Sequence, residues 1–253
     1  MKATVLLSNE FDENDPGLRL REQICLVIDV LRATSTITSA LAAGAGKVIV
    51  SRSTEEAFSI RRCLGGTVLC GEEKAVKIEG FDYDNSPREL SRLDLTGKTV
   101  VIKTTNGTKS FVKVQKAKVV LNLSLLNMSY TMDQAVRRAR RRRADLLFLC
   151  SGKLGMISYD DVYVAGAALR HLIDNGVSVE LEDTAELALA AALREQDAYG
   201  AMLKSRSARC ALAVGLQEDI RFSSEVNRYG VTGTLKIERV CEALGEMISI
   251  FPL

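Results

Sequence analysis

The chain has 253 residues, 47% hydrophobic, 26% charged and 5% aromatic, with six cysteines, one histidine and no tryptophan, enough for one large domain or two of about 125 residues. Thirty-four basic against 32 acidic side chains leave no global field for nucleic acid or a membrane surface, and no apolar run approaches the ~20 residues that span a bilayer. The start MKATVLLSNEFDEN is a poor signal peptide, and cysteines scattered at 25, 63, 70, 150, 210 and 241 without a CxxC pair predict reduced, buried thiols in a cytoplasmic protein.

The first half alternates strand and helix signals. Ala3–Ser8 and Ile24–Val30 are β-rich apolar runs separated by a polar, turn-rich segment. Ile37, Ala40 and Leu41 form a helical stripe over 34–43 that Gly44 stops. Lys47–Val50 reads as a strand, Ser53–Leu64 as a Ser-capped helix, and Thr67–Cys70 as another strand. Ser86–Leu93 carries Pro87 in a first helical turn, where proline is tolerated. Thr99–Ile102, Gly107–Gln115 and Lys118–Leu121 then read as strand, helix and strand. In the second half Met128, Met132, Ala135, Val136 and Ala139 mark a helix, and Ala144–Cys150 a buried strand. Helices follow over Asp161–Asp174 and the alanine-rich Ala185–Leu193, which permits a helix-packed homodimer interface.

This alternation predicts an α/β fold with mainly parallel sheets layered with helices. Two α/β lobes are expected, residues 1–127 and a helix-richer 128–253, with the site in the cleft between them.

Several chemistries are missing. His171, the lone histidine, sits in a helical run and reads as a helix-end residue. No GxxxxGK[ST] is present, nor a cysteine with arginine six positions on. Carboxylate, hydroxyl, amide and guanidinium groups remain, and in open α/β sheets these act beyond the carboxyl ends of strands.

Four strand ends carry them. The second strand runs into Asp29-Val-Leu-Arg32-Ala-Thr34-Ser35-Thr36 at a helix start, where free N–H groups and the dipole suit an oxyanion. A Ser/Thr cap explains one hydroxyl, but not Asp29 ending an apolar strand beside Arg32. Thr99–Ile102 leads into Lys103-Thr104-Thr105-Asn106-Gly107-Thr108, a turn whose N–H groups can meet a phosphate. Thr67–Cys70 ends in Gly71-Glu72-Glu73-Lys74, and Ala144–Cys150 leads through Ser151-Gly152-Lys153 to Asp160-Asp161. The loop 80–89 supplies Asn85 and Ser86, with Ser86 and Glu89 spaced as a capping box. Carboxylates without histidine or paired cysteine suit a hard ion, Mg²⁺ by default. The arginine run Arg137–Arg143 closes a helix, where cations are favoured, and reads as a solvated terminus.

The segments VIDVLRATSTITSALAAGA (27–45), GEEKAVKIEGFDYDNSPREL (71–90), KTTNGTKS (103–110) and CSGKLGMISYDDVYVAGAAL (150–169) together resemble the 2-phosphosulfolactate phosphatase family over most of residues 25–170. The resemblance implies a Mg²⁺-dependent phosphomonoesterase that converts 2-phospho-3-sulfolactate to 3-sulfolactate and phosphate, a step of coenzyme M biosynthesis. It makes Asp29 a metal or catalytic carboxylate and Arg32 a substrate-anion contact. Thr34, Ser35, Thr36 and Thr105, Asn106, Gly107, Thr108 become two anion cradles, with Asn85 and Ser86 as further substrate contacts. Glu72, Asp160 and Asp161 complete the acidic side, Asp161 with a catalytic role. The expected partner is a small anionic phosphate ester, without nucleic acid or membrane. A non-catalytic protein binding an organic phosphate or sulfonate is the alternative.

Overall fold

The structure, a computed structural model, describes residues 1–73, 75–242 and 244–253. Its strands are β1 (Lys2–Leu6), β2 (Gln23–Ile28), β3 (Lys47–Val50), β4 (Val68–Glu73), β5 (Val76–Lys77) and β6 (Thr99–Lys103). β7 (Val119–Leu123), β8 (Asp145–Cys150), β9 (Glu180–Leu181), β10 (Gly233–Cys241) and β11 (Gly245–Pro252) follow. The helices are α1 (Ala33–Ala42), α2 (Thr54–Cys63), α3 (Pro87–Leu90), α4 (Gly107–Lys113) and α5 (Met128–Arg142). The rest are α6 (Tyr159–Asp174), α7 (Asp183–Leu193), α8 (Ala198–Leu203), α9 (Arg206–Ala213) and α10 (Gln217–Ser223). Every element predicted from periodicity is present, with ends moved by a few residues.

The strands form one sheet in the order β5-β4-β6-β3-β11-β10-β7-β2-β8-β1-β9. Two blocks of it are parallel, β4-β6-β3 and β7-β2-β8-β1-β9. Strands from both sides of residue 127 enter it, since β2 lies between β7 and β8. The hairpin β10–β11 is inserted between the blocks and pairs antiparallel with β3 on one side and β7 on the other. Three antiparallel steps leave the two blocks running in opposite directions. In a flat sheet their carboxyl ends would lie at opposite edges.

Burial shows how they meet. β2 alternates, with Ile24, Leu26 and Ile28 in a core shared with α5, α6 and α7, and Cys25 and Val27 in a core on the other face. That second core also holds Val48 and Val50 of β3, Val100 and Ile102 of β6, and Ile37, Ala40 and Leu41 of α1. One face of each block therefore closes on the same helix layer, and the sheet wraps around α1 and α4. A twist of about 20–25° per strand pair, summed over the steps from β6 to β2, turns the blocks by roughly 100° toward each other. Both faces of the strands are covered, which is why they read as continuous apolar runs. α2 covers the outer face of the β4-β6-β3 block with Ala57 and Ile60.

Strands β10 and β11 have no counterpart among the predicted elements. β10 exposes Lys236, Glu238 and Arg239 in part or whole, so its apolar signal is diluted by charge. Its far end brings Cys241 to Cys63 at the end of α2, and the two form a disulfide across 178 residues, Cα–Cα 6.4 Å. This corrects the expectation of six reduced, buried thiols: Cys25, Cys70 and Cys150 are free and buried, and Cys210 is free and exposed. The pairing depends on the hairpin reaching α2, which residue spacing does not encode. No helix among the described residues is long and apolar enough to cross a membrane.

The alanines of α7 are used inside the chain. Ala185, Ala188 and Ala192 are buried against α6, while Leu187 and Leu193 face outward. The helices approach so closely that a Cβ on Gly166 would lie 1.9 Å from the Ala188 carbonyl oxygen and 2.8 Å from Ala192 Cβ. Gly166→Ala is expected to destabilise the fold by about 1–3 kcal/mol, read as a lower urea midpoint. An unchanged midpoint would show that α6 and α7 do not cross at this distance.

Candidate active site

The carboxyl ends of β2, β4, β6 and β8 converge on one cleft, lined by Asp29, Arg32, Glu72, Thr104, Asn106 and Lys153. Loop 81–86 contributes Asn85, and α9 contributes Ser207, Cys210 and Ala211.

The turn from β2 into α1 is built by its own hydroxyls. The Asp29 N–H donates to Thr34 Oγ1 (3.1 Å), Ser35 Oγ donates to the Val30 carbonyl (2.8 Å), and Thr36 Oγ1 donates to the Arg32 and Asn85 carbonyls (3.0 and 3.1 Å). Thr34, Ser35 and Thr36 are fully buried. Their hydroxyls are engaged with backbone, so their part in the site is to hold Asp29 and Arg32 at the strand tip.

Asp29 is buried at the cleft floor, its Oδ1 accepting a long bond from the Ala33 N–H (3.4 Å). Its Oδ2 faces the Cα of Gly107, where a Cβ would lie 2.8 Å away and 2.5 Å from Ala33 Cβ. Gly107 is therefore required by the approach of α4 to α1. Burial pushes the Asp29 carboxyl up to about 7; the charge of Lys153 opposes this, and those of Asp160 and Glu72 add to it.

The other acids differ in what their oxygens are free to do. Glu72 accepts from the N–H groups of Thr105 (2.8 Å) and Ala75 (2.7 Å). Asp161 accepts from the N–H groups of Val30 (3.0 Å) and Gly152 (2.9 Å), tying the tips of β2 and β8 together. Asp160 Oδ1 accepts from Ser158 Oγ (2.5 Å), which also contacts Ser207 Oγ (2.8 Å). Asp160 Oδ2 is buried with no hydrogen-bond partner. Burial raises both carboxyls, Asp161 strongly, and the charges of Asp160 and Asp29 add to its shift. No group of three or more His, Cys, Asp or Glu among the described residues forms a ready metal cage. Strand alternation separates the two acids that end β4, so Glu72 is buried while Glu73 is exposed beside Lys103 (3.9 Å). Lys74 lies outside the described residues.

In the turn after β6, Thr104 and Asn106 line the cleft, and Asn106 Oδ1 accepts from the Leu154 N–H (3.4 Å). Thr108 bonds back to Thr104 (2.9 Å), and Thr105 Oγ1 is buried without a partner. Ser86 caps α3 through the Glu89 N–H (3.1 Å) as the sequence spacing predicts. Asn85 Oδ1 is a further buried acceptor without a partner.

Arg32 is the most heavily bonded side chain of the site. It pairs with Asp84 (2.7 Å) and with Asp219 of α10 (2.8 Å), and Asp219 also accepts from Ser86 (2.6 Å). Lys153 stands in the strand-end turn that the sequence marks, whereas Asp219 and Ser207 lie outside every motif. Asp219 sits in the first turn of α10, where the helix dipole alone accounts for an acid, and nothing local marks its partner 187 residues away. Lys153 has no carboxylate within ion-pair distance among the described residues, which leaves it as a free cation facing the cleft. His171 is half-buried in the last turn of α6, hydrogen-bonded to Asn175, and does not line the cleft. Burial raises the thiols of Cys25, Cys70 and Cys150, so none is a ready nucleophile. The arginine run closes α5 as predicted, with Arg143 as its left-handed C-cap.

Known proteins resemble the chain over most of its length. The profile of the 2-phosphosulpholactate phosphatase family matches residues 12–237. A probable 2-phosphosulfolactate phosphatase of Clostridium perfringens is 37% identical over 232 residues, 90% of each chain. One of Thermus thermophilus is 37% identical over 232 residues, 90% of this chain and 94% of its own. One of Thermotoga maritima is 36% identical over 198 residues, 78% of this chain and 82% of its own.

The raised Asp29 carboxyl has a consequence for stability. An acid that binds its proton more tightly when folded makes stability fall as pH rises from the unfolded value, 3.8, to the folded one, about 7. The slope is about 1.4 kcal/mol per pH unit at most. In EDTA, Asp29→Asn is expected to unfold at higher urea than the wild type at pH 8, with the gain shrinking toward pH 4. A variant that is less stable at pH 8 would show that Asp29 is a satisfied structural carboxylate.

Proposed function

The chain belongs to the 2-phosphosulpholactate phosphatase family, and from that premise we propose that it hydrolyses the phosphate ester of 2-phospho-3-sulfolactate to 3-sulfolactate and inorganic phosphate. The observation that carries this reading is the meeting of Asp29, Arg32 and Lys153 in one cleft. A carboxylate with a free oxygen shares the cleft with an ammonium unpaired among the described residues and a guanidinium that keeps two N–H donors, groups that suit a small polyanionic ester and its reacting phosphorus.

A magnesium ion fits the donor set in part. Asp29 Oδ2 and the orphaned Asp160 Oδ2 are the oxygens without an N–H partner that would hold it, whereas each oxygen of Glu72 and Asp161 already accepts one backbone N–H and is fixed by it. Mg²⁺ commonly takes one or two carboxylates and completes its shell with water and phosphate oxygens. When bound, it supplies neutralisation of the phosphoryl charge. Asp29 holds a proton or a cation at Oδ2 and is charged above a pH of about 7. Lys153 offsets part of the substrate's negative charge, while Arg32, already paired with Asp84 and Asp219, offers N–H donors to its oxygens. Glu72 and Asp161 keep the strand-tip turns in place. The reading includes a cytoplasmic enzyme of the coenzyme M type of sulfonate metabolism.

The test is phosphate release from 2-phosphosulfolactate, with Mg²⁺ and then with excess EDTA, beside phospholactate, phosphoglycolate and the phosphoglycerates. Release from the sulfonate ester that stops with EDTA is expected, and Asp29→Asn should lower kcat at least 100-fold. No release from any ester, with ligand affinity unchanged or raised in Asp29→Asn, would instead identify a binding protein. Gly107→Ala, which crowds Asp29 Oδ2, is expected to lower kcat at least tenfold; wild-type turnover would show that Asp29 tolerates displacement.

A further inference from the structure

The bonds around Arg32 leave a particular part of it unused. Nη1 donates to Asp84 Oδ2 (2.7 Å) and Asp219 Oδ2 (2.8 Å), and Nη2 donates to Asp84 Oδ1 (3.3 Å). These bonds take both Nη1 hydrogens and one Nη2 hydrogen. A guanidinium carries five N–H donors in a rigid plane. The remaining two, Nε–H and the second Nη2–H, lie side by side along one edge, and no other described side chain or backbone group accepts from them. Two parallel N–H groups in one plane match two oxygens of a phosphate or sulfonate, and Arg32 lines the cleft.

Charge balance does not call for this arrangement. One guanidinium needs one carboxylate, and a second leaves the buried cluster with an excess negative charge, which weakens attraction for an anion. What the second carboxylate adds is direction. With Nη1 held between two acceptors, the plane cannot rotate about its own stem. Asp219 is itself fixed, since its Oδ1 accepts from Ser86 Oγ (2.6 Å) and Ser86 caps α3. The side chains of Arg32 and Asp219 are 5% and 6% exposed, so water offers little competition.

We propose that Asp219, together with Asp84, is a positioning residue that fixes the Arg32 guanidinium so that its Nε–Nη2 edge receives an oxyanion of the substrate. The proposal rests on the reading of the cleft as a phosphate-ester site, and assigns a role to α10, 187 residues from the arginine it orients.

The experiment is a double-mutant cycle on the full chain, with inorganic phosphate as the probe in calorimetric titrations. Asp219→Asn keeps an acceptor for Ser86 and removes the carboxylate charge that pairs with Arg32; Arg32→Lys keeps the positive charge and removes the fork. Asp219→Asn is expected to weaken phosphate about tenfold in the wild-type background, although it removes a negative charge, and less than twofold in the Arg32→Lys background. KM for the ester should rise by a similar factor, with kcat changed less. Asp84→Asn, which leaves the Asp219–Ser86 contact intact, gives the same cycle should Asp219→Asn unfold. Unchanged or tighter phosphate binding by Asp219→Asn would overturn the proposal. Equal loss in both backgrounds, or a wild type that binds no phosphate, would do so too. Hydrolysis of 2-phosphosulfolactate alongside an unaffected Asp219→Asn removes the positioning role and leaves the activity. Coupled loss of phosphate in a chain that cleaves no ester removes the activity and leaves the positioning role.

Discussion

The antiparallel hairpin β10–β11 is the join on which the rest of the architecture depends. Each parallel block can be assembled from strand–helix units alone, with its carboxyl ends at one edge. Placing a hairpin between β3 and β7 reverses one block relative to the other. Accumulated twist then folds the two around a shared helix layer, as the mixed core of α1, β2, β3 and β6 shows. The cleft is the place where two sets of strand tips face each other. It draws Asp29 and Lys153 from one block and Glu72 and Thr104 from the other.

Bringing several carboxylates to one buried place opposes folding, because each loses water and repels the others. The structure meets this unequally. Glu72 and Asp161 receive two backbone N–H groups each and thereby lock the turns that carry them. Asp29 and Asp160 keep an oxygen that no N–H satisfies, and burial raises both carboxyls. Stored electrostatic cost of this kind is expected where a protein must bind a cation or proton. The same division explains why four acids that look equivalent in the sequence are not equivalent in chemistry.

Arg32 shows the complementary problem. A buried guanidinium is held only if its donors are met, and Asp84 and Asp219 meet three of five. One of these partners comes from the loop between β5 and α3 and the other from α10. The C-terminal helices thus line the cleft through Ser207 and hold Arg32 from behind through Asp219. Both residues lie in the part of the chain where motifs are sparsest.

How much was legible beforehand follows from what local sequence encodes. Apolar runs, glycine stops and Ser/Thr caps are determined within a few residues, so the strands and helices, and the positions of Asp29, Arg32, Glu72 and the Thr104–Thr108 turn at strand ends, could be read directly. Ser86 as a cap and His171 as a helix-end residue were legible for the same reason. The free or engaged state of each carboxylate oxygen was not, because it depends on N–H groups from other turns. Nor were the Asp219–Arg32 pair and the Cys63–Cys241 bridge, whose partners lie 187 and 178 residues apart. Those contacts exist only after the sheet has curled, and its curl comes from a charged, half-exposed hairpin whose periodicity is weak. Sequence by itself determined which groups stand at the strand tips; tertiary structure decided which of them face the cleft with an atom to spare, since only the closed fold assigns hydrogen-bond partners across the chain.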